Sequence, residues 1–423
     1  MHIPDGYLSP ATCAALYAGA APFWYVALRR VRRALHTRLV PLVSLFAAFS
    51  FVIMMFNLPL PGGTTGHAVG IGLAAVVLGP WAAMLAVSTA IVIQALFFGD
   101  GGITAIGANC FNMGVAGALV AYAVYRLLAG RAAIGSARRV VAAGLAGYAA
   151  INVSALLAAI EFGIQPLLYR NASGAPLYCP YPLSVAIPAM MLGHLTIAGF
   201  AELTVSAGVV AFLQRSDPSL LQSTAGRAAE VAETTARALR PLWLGLGALL
   251  ILTPLGILAT GSAWGEWMAR DYSDPASRHE IAASSFHQAA PLHAPEGLAR
   301  LSQIWTAPFA RYAPPYVRSA SFGYLLSAMF GAGLIVFACL ALARLLRRKG
   351  PPGAETVATG SVVGQLGKLR AGCQPAPAAI GNRRAGHHPA PHKGPASAAA
   401  AGVEKSLDTA RKSACATDEE PAT

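Results

Sequence analysis

The sequence contains few charged residues. They make up 12% of its 423 positions, and only 18 residues are acidic, whereas 55% are hydrophobic. A soluble globular protein carries about twice that share of charge, so this class is excluded. The basic residues lie in clusters between long apolar runs, as in proteins whose helices cross a bilayer and whose loops lie in water. The net charge of +13 is therefore assigned to membrane loops, and the expected partner is a lipid bilayer and not a nucleic acid.

The sequence also lacks several motifs. Its six cysteines are scattered without a C-x-x-C pair, which argues against a disulfide framework or a thiolate zinc site. The first residues include no basic segment of a signal peptide, so we expect them to remain on the mature protein. No H-E-x-x-H pair is present, and residues 364–369 have the wrong spacing for a nucleotide-binding loop. We therefore expect neither an enzyme nor an autonomous pump. The alternatives to this expectation that stay open are an intramembrane metalloenzyme and a metal-sensing or scaffold membrane protein.

Long apolar runs predict the transmembrane helices. They lie at 12–28, 39–56, 68–97, 105–125, 140–160, 183–213, 242–261 and 322–343. The arginine-rich loops at 29–38 and 126–139 should both be cytoplasmic, so an even number of helices must separate them. The run at 68–97 exceeds the roughly 20 residues of one crossing, and dividing it at Gly79-Pro80 gives the even number. The sequence thus predicts an all-α membrane protein, a polytopic bundle of nine transmembrane helices in the bacterial inner membrane. Its N-terminus lies outside and its C-terminus in the cytoplasm.

The same runs divide the chain into four parts. Residues 1–214 hold seven of the helices, residues 215–241 form a cytoplasmic linker, and residues 242–348 hold two more helices around an external loop at 262–321. We call this loop the accessory loop. Residues 349–423 are rich in Ala, Gly and Pro and lack apolar periodicity, so we expect a disordered cytoplasmic tail.

His2 is a candidate metal ligand. A free α-amine, the next backbone amide nitrogen and an imidazole can chelate one ion from one short stretch of chain. Nearly planar, all-nitrogen coordination is expected for Ni²⁺ or Cu²⁺ rather than for Mg²⁺ or Ca²⁺. One planar position stays open, and His67 is the candidate to fill it, because the predicted topology puts Met1 and His67 at the same external face. We expect this site to be exposed, outside the packed helices. Taken alone, each histidine is more often a capping or interfacial residue.

Four stretches of the first half carry a family resemblance. The chain opens with Met1-His2-Ile3-Pro4-Asp5-Gly6-Tyr7-Leu8-Ser9-Pro10, and further motifs lie at 56–67, 100–105 and 107–114. Over about residues 1–214 the chain resembles the CbiM/NikM family. These proteins are the metal-specific substrate-binding (S) components of energy-coupling factor transporters for cobalt and nickel.

The resemblance implies both a ligand set and partners. The metal would be held by the amine of Met1, the backbone nitrogen and imidazole of His2, and the imidazole of His67. Ni²⁺ or Co²⁺ would be the transported substrate, and no cofactor is implied. A transmembrane coupling (T) component and cytoplasmic ATPase subunits would supply the energy.

Residues 242–348 resemble the accessory module of these transporters, the NikN-like or PDGLE type. Pro295-Glu296-Gly297-Leu298-Ala299 stands where that module has Pro-Asp-Gly-Leu-Glu, so it departs at two of five positions. The accessory loop contains three histidines: His279, His287 and His293. They either form a relay that gathers metal ions or are ordinary polar residues of a loop.

Polar residues within the apolar runs are candidates for supporting roles. Glu161 lies near an outer helix end and is expected to reach the interface, whereas Glu202 is expected to pair with His194 in a buried network. Ligating imidazoles usually need an oriented acceptor. The candidates for orienting the ligands are Asp5, Asn57, Gln94, Asp100, Asn109 and Asn112.

Overall fold

The computed structural model describes residues 1–34, 39–224 and 236–346. Its helices are α1 (Pro10–Ala34), α2 (Leu39–Met54), α3 (Ile71–Leu78), α4 (Pro80–Ile93), α5 (Ile106–Asn109), α6 (Ala118–Ala129), α7 (Ala137–Gly163), α8 (Gln165–Leu168), α9 (Leu183–Gly193), α10 (Gly199–Ser216), α11 (Ala236–Leu252), α12 (Pro275–Ser284), α13 (Glu296–Leu301) and α14 (Ala320–Leu346). The predicted tail at 349–423 lies outside the described residues, as do residues 225–235 of the predicted linker.

Three π-helical segments extend or join these helices: Gln94–Phe98 after α4, Cys110–Gly117 between α5 and α6, and His194–Ala198 between α9 and α10. Short 3₁₀ helices lie at Pro218–Thr224, Thr253–Leu258, Ala269–Tyr272 and Ala310–Tyr312. Strands β1 (Leu58–Leu60) and β2 (Thr64–Gly66) form an antiparallel hairpin just before His67.

The predicted all-α membrane fold is confirmed. Each apolar run forms a helix in the described part of the chain, seven segments before residue 217 and two after residue 235. Seven of the nine segments are long and apolar enough to cross a membrane by themselves. Leu39–Met54 is shorter, and α3 has eight residues. At about 1.5 Å per residue, α3 spans about 12 Å, which is less than the thickness of the hydrocarbon core of a bilayer.

The predicted break between α3 and α4 is present. Gly79 adopts a φ of 76°, which residues with a side chain rarely adopt, and its N–H caps Ala75 O. Pro80 follows as the first residue of α4, where its missing N–H leaves no helical bond unmade. Gly79-Pro80 therefore ends one helix and begins the next.

The loops gather at two ends of the bundle. At one end, Gly102 N–H donates to Ile3 O (2.8 Å) and Thr65 N–H to Ser262 O (3.3 Å). At the other end, the side chain of Gln214 donates to Ile134 O (2.6 Å). We call these the site end and the basic end, because the second carries a cluster of arginines: Arg126, Arg131, Arg138, Arg139 and Arg215.

The accessory loop packs onto the site end. Besides the Ser262 contact, Phe309 N–H donates to Phe97 O (2.9 Å) and the indole of Trp305 to Leu96 O (2.9 Å). Helices α11 and α14 pack against α2. The described residues of both halves form one compact unit. The loop is thus a structural part of the site end.

Topology can be tested with reporter fusions. We expect reporters joined at 60–65 and at 100–102 to be external, and a reporter joined at 132–136 to be cytoplasmic, because basic loops stay inside. The activities of a phosphatase reporter and a fluorescent reporter, each joined at the same position, show on which side of the membrane that position lies. A cytoplasmic result at 100–102 would contradict the even number of crossings.

Candidate metal centre

The first residues of the chain are held by main-chain hydrogen bonds. The Ile3 N–H donates to Asn109 Oδ1 (2.8 Å), and Asn109 Nδ2 donates back to Ile3 O (3.1 Å). Asn109 stands at the end of α5, where the π-helical segment begins. Two residues further on, Asp5 accepts hydrogen bonds from the N–H groups of Ile103 (3.1 Å) and Thr104 (2.8 Å). These bonds fix the positions of Met1 and His2.

The two predicted histidine ligands lie face to face. The ring centroids of His2 and His67 are 5.2 Å apart, and the ring planes are inclined by 34°. Among the described residues, Nε2 of His2 has no hydrogen-bond partner, whereas Nδ1 lies 3.0 Å from a carboxylate oxygen of Asp100. A buried imidazole without partners is costly unless something else binds it. The arrangement thus leaves nitrogen lone pairs available inside the protein.

The site is buried, so the expected exposure was wrong. Met1 is 4% exposed, His2 is 0% exposed and His67 is 6% exposed. The accessory loop accounts for this burial, because its residues contact the N-terminal segment directly. Gly6 adopts a φ of 87°, and a side-chain carbon there would lie 2.7 Å from Leu298 Cα, so no larger residue fits.

Asp100 faces the His2 ring. Its Oδ1 lies 3.0 Å from His2 Nδ1, an ion-pair distance. Its Oδ2 accepts hydrogen bonds from the Tyr312 hydroxyl (2.5 Å) and from Gln94 Nε2 (3.3 Å). Burial acts to raise the pKa of Asp100, but the neighbouring His2 and His67 rings and the Tyr312 hydroxyl hold it below its usual range. Asp100 is therefore an anion next to the proposed ligands.

His67 is neutral. Burial, followed by the adjacent His2 ring and the N-terminal amine, lowers the pKa of His67 from its ordinary value of 6.5 to about 3. Its Nδ1 lies 3.1 Å from Ala68 O. A neutral imidazole is the form that binds a metal ion.

Glu202 supports the segment that follows His67. One of its oxygens accepts the N–H groups of Val69 (2.7 Å) and Gly70 (2.8 Å), and the other accepts that of Gly72 (3.1 Å). These are free N–H groups at the start of α3, so the carboxylate caps the helix from α10. Glu202 is thus buried and paired, as expected, but its partners are main-chain N–H groups, and His194 Nδ1 instead lies 2.8 Å from Met190 O.

Two residues of the accessory module were missed as site residues. The Met1 amine donates to Glu266 Oε1 (3.2 Å), and Tyr312 binds Asp100 as described above. Both contacts span more than 200 residues of sequence, which no local pattern reveals.

The other candidates have different partners. Asn112 donates to Glu161 Oε2 (2.8 Å), which is buried and does not reach the interface. Asn57 makes a backbone bond to Met55 O (3.2 Å). The three loop histidines are exposed, and no group of three His, Cys, Asp or Glu side chains suited to a metal occurs among the described residues.

Comparison with known proteins identifies the family. The sequence pattern of CbiM, described as the cobalt uptake substrate-specific transmembrane region, matches residues 2–220, and that of the PDGLE domain matches residues 239–348. The chain belongs to the CbiM family. It combines that region with a PDGLE domain, as the resemblance of both halves predicted.

Three similar proteins are transport proteins. The fused nickel transport protein NikMN of Rhodobacter capsulatus is 61% identical over 336 residues, covering 79% of this chain and 95% of that protein. The probable fused nickel transport protein LarMN of Lactiplantibacillus plantarum is 44% identical, covering 78% and 93%. A putative metal transport protein of Methanocaldococcus jannaschii is 47% identical, covering 53% and 96%. The chain is accordingly a membrane transport protein and not an enzyme, and metal is cargo, not a cofactor.

The two buried glutamates give a testable contrast. In Glu202→Gln, the side-chain NH₂ group replaces a carboxylate oxygen and faces main-chain N–H groups, which are also donors. We therefore expect the free energy of unfolding to fall by about 1–3 kcal/mol. In Glu161→Gln, the new amide can donate to Asn112 Oδ1, which has no partner within the described residues, so stability should hold or rise. Thermal unfolding of the purified variants in detergent measures both. Equal losses in the two variants would contradict the capping role.

Proposed function

We propose that this chain is the substrate-specific component of an ATP-driven importer and captures Ni²⁺ or Co²⁺ at the external face. The ligands are the amine of Met1, the backbone nitrogen and imidazole of His2, and the imidazole of His67. The observation that carries the proposal is the convergence of these groups in a buried site. There the His2 and His67 rings lie with their centroids 5.2 Å apart, and Met1, His2 and His67 are all buried.

The donor set favours late transition metals. Three of the four nitrogens come from two successive residues and are therefore close to coplanar. Four nitrogens in a plane suit Ni²⁺ and related ions, and the same set serves Co²⁺. The relatives named for nickel and the family named for cobalt agree with this choice.

The surrounding charges suit a buried cation. A divalent ion in a water-poor site needs opposite charge nearby. Asp100 lies next to His2, and Glu266 lies next to the amine. Loss of the His2 amide proton would leave a further negative charge on a nitrogen that binds the metal.

Energy must come from partner proteins, because the sequence has no nucleotide-binding loop. We propose that a transmembrane coupling component and cytoplasmic ATPase subunits provide it in the inner membrane. ATP-driven uptake is expected only in vesicles that also contain these partners.

The ligand assignment is tested by removing each imidazole. We expect His2→Ala and His67→Ala to abolish high-affinity Ni²⁺ binding, because each removes one of four ligands. His293→Ala, on the exposed part of the accessory loop, should bind normally. Calorimetric titration of protein with a native N-terminus gives the affinity, and thermal unfolding checks that each variant is folded. Normal affinity in either ligand variant would refute the assignment.

The terminal amine is tested by extending the chain. Met1 is 4% exposed and its amine touches Glu266, so an added residue has no room. Errors of about 1 Å are enough to spoil a preorganised site. We expect one residue placed before Met1 to weaken Ni²⁺ binding severely and a C-terminal tag to have no effect. Equal titration curves for extended and native protein would show that the amine is not a ligand.

A further inference from the structure

We propose that Glu266 and Tyr312, both supplied by the accessory module, are positioning residues of the metal site. This rests on the proposed function, since both act through groups of the proposed site. Glu266 orients the Met1 amine, and Tyr312 orients the Asp100 carboxylate that faces His2. The accessory module thus completes a site whose ligands all belong to the first half of the chain.

Glu266 is held in a rigid turn. Its N–H donates to Ala263 O (3.0 Å). In the sequence it stands between Trp264 and Trp267, whose buried rings contact each other with their centroids 5.7 Å apart. The Trp264 indole donates to Ser285 Oγ (3.2 Å). The Trp267 carbonyl accepts the hydroxyl of Tyr7 (2.8 Å), which ties this turn to the N-terminal segment itself. A carboxylate on such a turn can hold an amine in one place.

Tyr312 is held even more tightly. Its ring stacks on Phe98 with centroids 4.8 Å apart, and its carbonyl accepts the hydroxyl of Ser327 (2.9 Å). Gln94 Nε2 donates to its hydroxyl (3.0 Å), which leaves that hydroxyl's proton for Asp100. Burial and the adjacent Asp100 raise the pKa of Tyr312 well above its ordinary value, so it stays a donor.

The backbone at Tyr312 is strained. Arg311 and Tyr312 have φ values of 55° and 59°, in the left-handed region that side chains disfavour. Such residues persist only where their surroundings enforce them, and they cluster at functional sites. Here the strain places one hydroxyl against the carboxylate that contacts His2.

Strand β2 gives a third connection. Thr65 pairs with Ala263, three residues before Glu266, and His67 follows two residues after Thr65. The same stretch of accessory loop therefore contacts the segments that carry Met1 and His67. Its displacement would release the amine and loosen His67 together.

The test compares Ni²⁺ affinity among full-length variants with native N-termini. Groups that orient metal ligands typically change metal affinity about 10- to 100-fold. We expect Glu266→Ala and Tyr312→Phe to raise the Kd by about that factor. Glu266→Gln keeps an oxygen acceptor for the amine and should recover part of the loss. The visible absorption band of bound Ni²⁺ should shift in Glu266→Ala, a change that loss of stability alone would not produce.

Matched controls come from the same loop. Glu280→Gln removes an exposed carboxylate, and Tyr316→Phe removes an exposed hydroxyl. Both should keep the wild-type Kd. Tyr312→Phe is nearly isosteric and tests the proposal even if Glu266→Ala does not fold.

The outcomes separate the two proposals. If His2→Ala loses Ni²⁺ while Glu266→Ala and Tyr312→Phe keep the wild-type Kd, the positioning role is refuted and the ligand set stands. Equal losses of Ni²⁺ affinity in Glu280→Gln and Glu266→Gln would also refute it, because the total negative charge of the accessory loop would then explain both losses. If His2→Ala itself binds as the wild type does, the proposed ligand set fails.

Discussion

The hydrogen bonds between Ile3 and Asn109 are the constraint on which the candidate metal centre depends. Chain termini are ordinarily the most mobile part of a protein. Here the amide side chain of Asn109 meets both main-chain groups of Ile3, which fixes its position as a strand partner would. The two preceding residues are then placed beside His67 without any regular structure of their own. The placement of Met1 and His2 in the proposed chelate depends on that anchorage.

The anchoring residues come from helices with irregular turns. Gln94 and Asn109 lie at the boundaries where α-helical geometry changes to π-helical geometry. A π-helical turn shifts side chains around the helix and leaves main-chain groups less regularly paired, and such turns are frequent at functional sites. The bundle thus directs polar groups inward at the site end, where an ideal apolar helix would present only packing surface. Burial then makes each of these polar contacts stronger, since little water competes for them.

Much of the fold was predictable because it depends on local patterns. Apolar runs and arginine clusters predicted the helices. Gly79-Pro80 predicted the break between α3 and α4, because the backbone of glycine and of proline disfavours a continuous helix. Asp100 was among the candidates for orienting the ligands, and the structure places it beside His2. Burial of the site was not predictable, because it depends on where the accessory loop docks. The contacts of Glu266 and Tyr312 likewise depend on tertiary packing alone.

The altered PDGLE motif shows how that docking tolerates sequence change. Pro295, Gly297 and Leu298, which match the motif, are buried, whereas Glu296 is exposed and Ala299 is half-buried. Gly297 N–H donates to Leu177 O (2.8 Å), and Leu298 presents its main chain to Gly6. These contacts use backbone atoms, so they depend on chain conformation and on the absence of a side chain at two glycines. The two departing residues lie where side chains are free to vary. The main chain of the motif therefore packs against Leu177 and against Gly6 of the N-terminal segment, and neither contact uses the side chain of a departing residue.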